Sequence, residues 1–258
     1  MGDLLICTIS LLLLVLSTSA IQQLSIDRIV GGASINVTDI PFILSFRAND
    51  SHICGASIIN ENWGVTAAHC VQPIMSRRTQ KSVRSGSSKR ESGGTIHNVT
   101  KIIYNHNYDD ENLDYDIAVF KVDPPFEFNN ATQPVKLPED PKLYKTNWGL
   151  VAGWGYFITK DPVLSEDLQY VILPRVKRQT CIDDYEDYNL EITKHQICYG
   201  FEEAGEDACK GDSGGPLVNN STLIGITSWG ASCAKPNAPG VYTDVTILMD
   251  WIKSKIKS

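Results

Sequence analysis

The sequence predicts an all-β fold, either a sandwich or a pair of barrels, closed by one C-terminal helix. Short runs of β-branched and aromatic residues recur between clusters of Gly, Pro, Asn, Asp and Ser, which is typical of many short strands joined by frequent turns. The composition, 42% hydrophobic and 21% charged over 258 residues, supplies enough apolar material for a large folded domain. The predicted strands cover residues 42–46, 53–59, 96–104, 117–122, 168–173, 223–229 and 240–245.

The C-terminal helix is predicted from apolar residues that repeat at helical spacing. They are Val245, Leu248, Trp251, Ile252 and Ile256. Three lysines in the last turns, Lys253, Lys255 and Lys257, either form a basic surface site or complement the helix dipole on a solvated face. The polar stretches 77–94 and 123–140 are predicted to be long loops.

Composition also excludes some classes of function. The formal net charge of −7 disfavours a general nucleic-acid binder, because such a protein needs a basic face to neutralise phosphates. Nineteen glycines and twelve prolines without a period exclude a collagen-like chain. No apolar run reaches the ~20 residues of a membrane span, so we expect no membrane anchor.

The N-terminus predicts a secreted, extracellular protein. Residues 4–16 form an apolar run too short to span a membrane, and small residues follow at 17–20. We interpret residues 1–20 as a signal peptide, although the segment before the run has Asp3 and no basic residue. A buried N-terminal helix is the alternative. Removal of the signal peptide would also remove Cys7.

Six of the seven cysteines would then remain, and an even number in an oxidising compartment predicts three disulfides. Spacing alone leaves their pairing open.

Three short motifs carry the residue types of a nucleophile, a base and an orienting acid. They are Thr-Ala-Ala-His-Cys at 66–70, Asp-Tyr-Asp-Ile-Ala-Val at 114–119 and Gly-Asp-Ser-Gly-Gly-Pro at 211–216. A serine hydroxyl needs an adjacent base to take its proton, and a neutral imidazole suits that role near neutral pH. A buried carboxylate fixes the imidazole tautomer, and glycines let backbone N–H groups face a developing oxyanion.

With these motifs, the chain from Ile29 onward resembles the secreted serine proteases of the chymotrypsin/trypsin family, and invertebrate trypsins in particular. The resemblance implies two six-stranded antiparallel β-barrels with the active-site cleft between them. It also implies that His69 is the general base, Asp116 its orienting acid and Ser213 the nucleophile. His69 and Asp116 would come from the first barrel and Ser213 from the second. Further implied roles are the N–H groups of Gly211 and Ser213 as oxyanion hole, and Ser228 as support for Asp116.

The resemblance also implies the disulfide pairing. The implied bridges are Cys54–Cys70, Cys181–Cys198 and Cys209–Cys233.

Activation by proteolysis is a further implication. The sequence Arg-Ile-Val-Gly-Gly at 28–32 resembles the family's zymogen cleavage site. Residues 21–28 would be a propeptide and residues 29–258 the peptidase domain. Cutting after Arg28 would free the amine of Ile29, which in the family pairs with the carboxylate before the nucleophile, here Asp212. A new cation removes the cost of an unpaired buried carboxylate.

Preference for Arg or Lys is implied by Asp207, six residues before Ser213, at the base of the family's S1 pocket. Gly230 and Gly240 would form its walls. The alternative is that Asp207 is a surface acid in a loop.

Four positions depart from the family pattern. Lys210, at the pocket rim, would favour acidic residues near the scissile bond, and Ala231 with Ser232 would reshape the entrance. Ala208 lacks a hydroxyl that helps to recognise Lys. We therefore expect Arg to be preferred over Lys.

No cofactor or metal is expected. The segment that corresponds to the family's calcium loop offers only Glu91 as a carboxylate, whereas calcium takes six to eight oxygens. Zinc is not expected because the cysteines are assigned to bridges. Six Asn-x-Ser/Thr sequons are candidate glycosylation sites, of which two overlap. They begin at Asn36, Asn49, Asn98, Asn130, Asn219 and Asn220.

The function expected is a secreted serine endopeptidase, digestive or with a narrower regulatory or venom-type role. Implied partners are protein or peptide substrates, serine protease inhibitors, and an activating trypsin-like protease or the enzyme itself. We expect the protein to be a monomer and to bind no nucleic acid. The rival interpretation is a non-catalytic protease homologue that acts as a binding or cofactor protein.

Overall fold

The computed structural model describes residues 32–76, 78–139, 146–155, 163–202, 211–231 and 236–257. The predicted signal peptide and propeptide lie outside the described residues. The strands are β1 (Ala33–Ser34), β2 (Ile43–Ala48), β3 (Ser51–Ile58), β4 (Trp63–Thr66), β5 (Lys81–Ser85), β6 (Thr95–Tyr104), β7 (Ala118–Asp123), β8 (Trp148–Gly153), β9 (Gln169–Val176), β10 (Gln196–Tyr199), β11 (Pro216–Asn219), β12 (Thr222–Trp229) and β13 (Gly240–Asp244). The helices are α1 (Ala68–Val71), α2 (Arg178–Glu186) and α3 (Val245–Lys255).

Two closed antiparallel barrels form the body of the molecule. The first has the strand order β2-β3-β4-β7-β6-β5 and closes through the pairing of β5 with β2. In the second, the order β9-β10-β13-β12-β11-β8 closes through β8 and β9, and the short β1 adds to β9. The prediction of two six-stranded barrels and a C-terminal helix is confirmed.

Aromatic side chains fill the centre of the first barrel. The rings of Phe46 and Phe120 meet edge to face with centroids 5.1 Å apart. Gly64 pairs with Phe120 across β4 and β7, and a Cβ at Gly64 would lie 2.3 Å from the Phe120 ring. Only glycine therefore leaves room for this ring. The second barrel encloses a separate cluster around Tyr199 and Tyr242, whose rings are 6.1 Å apart.

The helix α3 packs its apolar stripe against the core. Asp244 caps its N-terminus by accepting a hydrogen bond from the N–H of Thr246. Val245, Leu248 and Ile252 are buried, while Lys253 is exposed. This is the arrangement of an ordinary closing helix with a solvated face. No helix within the described ranges combines the length and apolarity needed to cross a membrane.

Each of the seven predicted strands overlaps an observed one. The prediction of an uninterrupted loop over residues 77–94 is wrong, because this segment contains β5, which pairs with β2 and β6. The polar side chains of Lys81 and Arg84 obscured the strand, although Ser82 and Val83 between them are buried.

Candidate active site

His69 and Asp116 form a hydrogen-bonded pair at the edge of the first barrel. His69 lies on α1, directly after β4, and Asp116 precedes β7. The carboxylate of Asp116 accepts two hydrogen bonds from His69: the backbone N–H at 2.8 Å and Nδ1 at 2.7 Å. Since Nδ1 donates to a carboxylate, the neutral ring carries its lone pair on Nε2. A quarter of the His69 side chain is exposed, whereas Asp116 is fully buried.

The second barrel supplies two more donors to Asp116. Ser228 Oγ donates to the carboxylate at 2.6 Å, and Thr243 Oγ1 donates to the Asp116 carbonyl at 2.8 Å. The buried charge therefore has three donors, which offsets its desolvation. Ser228 has the supporting position that the resemblance implies, whereas Thr243 was not anticipated from the sequence.

Ser213 lies on a tight turn that contacts the segment leading to His69. The N–H of Gly55 donates to the Ser213 carbonyl at 2.8 Å. The following residue, Gly214, has φ 77°, and a Cβ there would lie 2.2 Å from Thr66 Oγ1. Only glycine permits this approach between the barrels.

Within the described residues, no hydrogen bond joins the side chains of Ser213 and His69. His69 Nε2 lies 3.6 Å from Cys70 Sγ instead. Catalytic hydrogen bonds of this kind are often loose without substrate and tighten in the complex.

Gly211 adopts φ 101°, and a Cβ there would lie 2.5 Å from Leu164 and 2.9 Å from the Gly155 Cα. Within the described part of the chain, the N–H groups of Gly211 and Ser213 have no acceptor, so both can donate to an oxyanion.

His52, which the sequence did not single out, holds the same turn. Its Nε2 donates to the Gly211 carbonyl at 3.1 Å, and its Nδ1 accepts from Ser45 Oγ at 2.8 Å. The ring is neutral in this arrangement because one nitrogen donates and the other accepts. Burial lowers the pKa of His52 to about 4.

Asp212 is fully buried and rests against two glycines. Its Oδ1 accepts a hydrogen bond from the N–H of Gly155 at 2.8 Å. A Cβ at Gly153 or Gly155 would lie 2.1 Å or 2.3 Å from a carboxylate oxygen, so glycines give the carboxylate its space. Arg28 and Ile29 lie outside the described residues.

The two predicted pocket walls face each other. A Cβ at Gly230 would lie 3.9 Å from the Gly240 Cα and 3.8 Å from the Tyr185 hydroxyl oxygen. Tyr185, on α2, donates its hydroxyl to the Pro239 carbonyl at 2.6 Å and accepts from the N–H of Ala231 at 3.2 Å. This tyrosine ties both walls together, and no local sequence signal identified it. Asp207, Ala208, Lys210 and Ser232 lie outside the described residues.

Two disulfides have the pairing that the resemblance implies, Cys54–Cys70 and Cys181–Cys198. The first joins β3 to α1 beside His69. The second joins α2 to β10. Cys209 and Cys233 lie outside the described residues. One group of described side chains, Cys54, His69 and Cys70, is close enough to ligate a metal, but its sulfurs are joined in a disulfide and are not thiolates.

Two ionisable groups elsewhere bear on the candidate metal and catalytic sites. Glu91 is paired with two guanidinium groups, Arg47 at 3.3 Å and Arg90 at 2.5 Å, so arginines already neutralise its charge. Tyr108 lies near Asp116, and burial followed by the charge of Asp116 raises the pKa of the Tyr108 hydroxyl. The tyrosine is therefore protonated at neutral pH.

The sequons differ in exposure. Asn36, Asn49, Asn98, Asn130 and Asn220 are exposed. Asn219 is half-buried, and its Nδ2 donates to the Trp148 carbonyl at 2.9 Å.

Comparison with known proteins places these features in one family. The family model described as Trypsin matches residues 29–252. Trypsin 5G1 of Aedes aegypti is 39% identical over 89% of this chain and 85% of its own length. Hypodermin-A of Hypoderma lineatum is 36% identical over 90% and 88% of the two chains, and Trypsin-1 of Astacus astacus is 40% identical over 88% and 99%.

Proposed function

The chain belongs to the trypsin family of serine proteases, and we propose that it is an active, secreted endopeptidase that cleaves peptide bonds after Arg or Lys. The observation that supports this most is the hydrogen bond from His69 Nδ1 to the buried carboxylate of Asp116, beside the Ser213 turn. All three triad residue types, His69, Asp116 and Ser213, are present, which favours an enzyme over a non-catalytic homologue.

The proposed reaction proceeds through an acyl-enzyme. His69 Nε2 takes the hydroxyl proton of Ser213 while Ser213 Oγ forms a bond to the scissile carbonyl carbon. The π electron pair of the C=O bond moves to the carbonyl oxygen. The N–H groups of Gly211 and Ser213 donate to this oxyanion. Asp116 stabilises the imidazolium, which then protonates the leaving amine as the C–N bond breaks. Water, activated by His69, releases the acyl group by the same steps.

Specificity for Arg and Lys rests on Asp207 at the base of the pocket. A carboxylate there attracts a cationic side chain, and an apolar one would leave it desolvated and unpaired. The small walls at Gly230 and Gly240 support this proposal because they leave room for a long side chain. Ala208 offers no hydroxyl to a Lys ammonium, so Arg is preferred, and Lys210 with Ser232 modifies the rim.

Activation occurs by cleavage after Arg28. The freed amine of Ile29 pairs with Asp212, whose carboxylate already lies against Gly153 and Gly155, and the pairing orders the Gly211 turn. A trypsin-like protease or the enzyme itself makes the cut. Residues 1–20 direct secretion, and the third disulfide, Cys209–Cys233, joins the pocket to the Ser213 loop. A digestive role and a narrower regulatory or venom-type role both fit these features.

The test uses the full chain secreted from eukaryotic cells and then treated with trypsin immobilised on beads. We expect an N-terminus that reads Ile-Val-Gly-Gly, and hydrolysis of Arg and Lys esters without hydrolysis of Phe esters. A Ser213→Ala protein, activated in parallel, controls for residual activator. An intact, correctly processed protein that hydrolyses none of these esters would favour the binding or cofactor role. A peptide-library cleavage profile distinguishes the two physiological roles: a bare Arg/Lys requirement supports digestion, and a strict P2–P4 motif supports regulation.

A further inference from the structure

A second histidine–carboxylate pair joins the two barrels close to the active site. The loop between β6 and β7 carries Asp116, and its tip reaches the segment that leads from α2 into β10. Four residues make this junction, which we call the clasp: Asp114, Thr193, His195 and Gln196.

Asp114 is the centre of the clasp. Its Oδ1 accepts hydrogen bonds from Thr193 Oγ1 at 2.6 Å and from His195 Nδ1 at 2.9 Å. The N–H of Tyr115 donates to the same oxygen at 3.0 Å, so local and long-range donors converge on one carboxylate. The His195 backbone is fixed as well, because its carbonyl accepts from the N–H of Asp244 at 2.8 Å.

Gln196 binds the backbone of the same loop. Its Nε2 donates to the carbonyls of Asn112 and Leu113 at 3.0 Å and 3.1 Å. Its Oε1 accepts from the N–H of Thr193 at 2.9 Å. The side chains of Gln196 and His195 are both buried, so these contacts form with little competition from water.

The loop held by the clasp is strained. Leu113 and Tyr115, on either side of Asp114, have φ of 54° and 50°, the left-handed region that non-glycine residues rarely adopt. Such conformations persist where the surroundings over-determine them. The clasp holds both residues in these conformations. Gln196 donates a hydrogen bond to the Leu113 carbonyl, and the Tyr115 ring stacks on the His195 ring with centroids 3.8 Å apart.

We propose that Asp114 and His195 are positioning residues, which hold the strained turn of residues 112–115 so that Asp116 meets His69 in the catalytic geometry. Tyr115 directly precedes Asp116, so a change in its backbone angles would redirect the catalytic carboxylate. The contacts of Ser228 and Thr243 fix Asp116 itself, and the clasp fixes the chain that delivers it. A misplacement of about 1 Å can cost up to about 10²-fold in rate. This inference rests on the proposed function.

The test compares activated enzymes that carry Asp114→Ala, His195→Phe or Asp114→Asn. His195→Phe keeps a ring beside Tyr115 and removes the donor, whereas Asp114→Asn keeps an oxygen that accepts. We expect kcat on an Arg ester to fall about 10-fold in the first two and by less than about threefold in the third. The inhibition constant of benzamidine, which reports the pocket alone, should stay within about twofold. Lys194→Ala, an exposed neighbour outside the clasp, is the matched control and should behave as wild type.

A wild-type enzyme that hydrolyses no ester would overturn the proposed function itself. With an active wild type, unchanged kcat in folded Asp114→Ala and His195→Phe would overturn the clasp. An equal loss of kcat and of benzamidine affinity would also overturn it, because that pattern indicates general loosening. If Asp114→Ala fails to fold, His195→Phe and Asp114→Asn decide the question by the same ratio of kcat to benzamidine affinity.

Discussion

The acids of two histidine–carboxylate pairs, His69–Asp116 and His195–Asp114, lie on one loop, two residues apart. Both pairs join Nδ1 to a carboxylate, at 2.7 Å and 2.9 Å. Their surroundings differ. A quarter of the His69 side chain is exposed, whereas the His195 side chain is 10% exposed and stacks on Tyr115. In the proposed function the more exposed imidazole acts as a catalyst, and in the proposed clasp the enclosed imidazole acts as a clamp.

The largest expected effect is a difference in kcat between variants of the two acids, Asp116 and Asp114. Asp116→Asn should lower kcat about 10⁴-fold, the magnitude known for this substitution in a related Ser-His-Asp protease, because an amide favours the wrong imidazole tautomer. Asp114→Asn, the matched change two residues away, should cost less than about threefold. Steady-state kinetics on one Arg ester measures both. Similar losses in the two variants would show that the pairs do not differ in role.

The choice of substrate should depend on neither pair. Asp207→Ser should lower the ratio of kcat/KM for Arg over Phe esters by about 10³-fold or more, since the cationic side chain loses its counter-charge. His195→Phe should leave this ratio unchanged and serves as the control. If the Asp207→Ser variant still prefers Arg esters, the assignment of Asp207 to the base of the pocket is wrong.

A third histidine, His52, forms no hydrogen bond to a carboxylate in the described residues and instead bonds Ser45 and the Gly211 carbonyl. Its pKa is lowered to about 4 from 6.5 by burial, so the unfolded chain binds a proton first as the pH falls. The contribution of neutral His52 to the free energy of unfolding is therefore fully present above pH 6.5. It declines by about 3 kcal/mol in total as the pH falls from 6.5 to about 4.

The measurement for His52 is urea unfolding across this pH range. His52→Gln cannot take up a proton at this position, so its free energy of unfolding should lack this part of the dependence on pH. The Lys194→Ala protein should keep the pH dependence of the wild type. Identical slopes in wild type and His52→Gln would contradict a buried neutral His52.

The sequence predicted the contact between His69 and Asp116 better than it predicted the residues that support it. His69, Asp116 and Ser213 stand in contiguous motifs, and the short runs between turns predicted most strands. Tyr185 and His195 act through contacts with residues 54 and 81 positions away, and no local pattern records such contacts. The strand β5 was missed because Lys81 and Arg84 give its sequence a polar character.

The smallest effect concerns the overlapping sequons. Asn219 is tied to the Trp148 carbonyl, and Asn220 is exposed, so we expect glycosylation at Asn220 of these two. Peptide mass spectrometry after deglycosylation in heavy-oxygen water should mark Asn220. Asn220→Gln should abolish the mark without changing kcat, and a mark on Asn219 in the wild type would contradict the assignment.

Active-site titration tests the central claim most directly. The activated enzyme is mixed with p-nitrophenyl guanidinobenzoate, which acylates the nucleophilic serine of Arg-specific proteases and releases p-nitrophenol. We predict a rapid burst of about one equivalent of p-nitrophenol per chain, absent from Ser213→Ala. Wild-type protein with an Ile29 N-terminus and no burst would contradict the assignment of His69, Asp116 and Ser213 as a working catalytic triad.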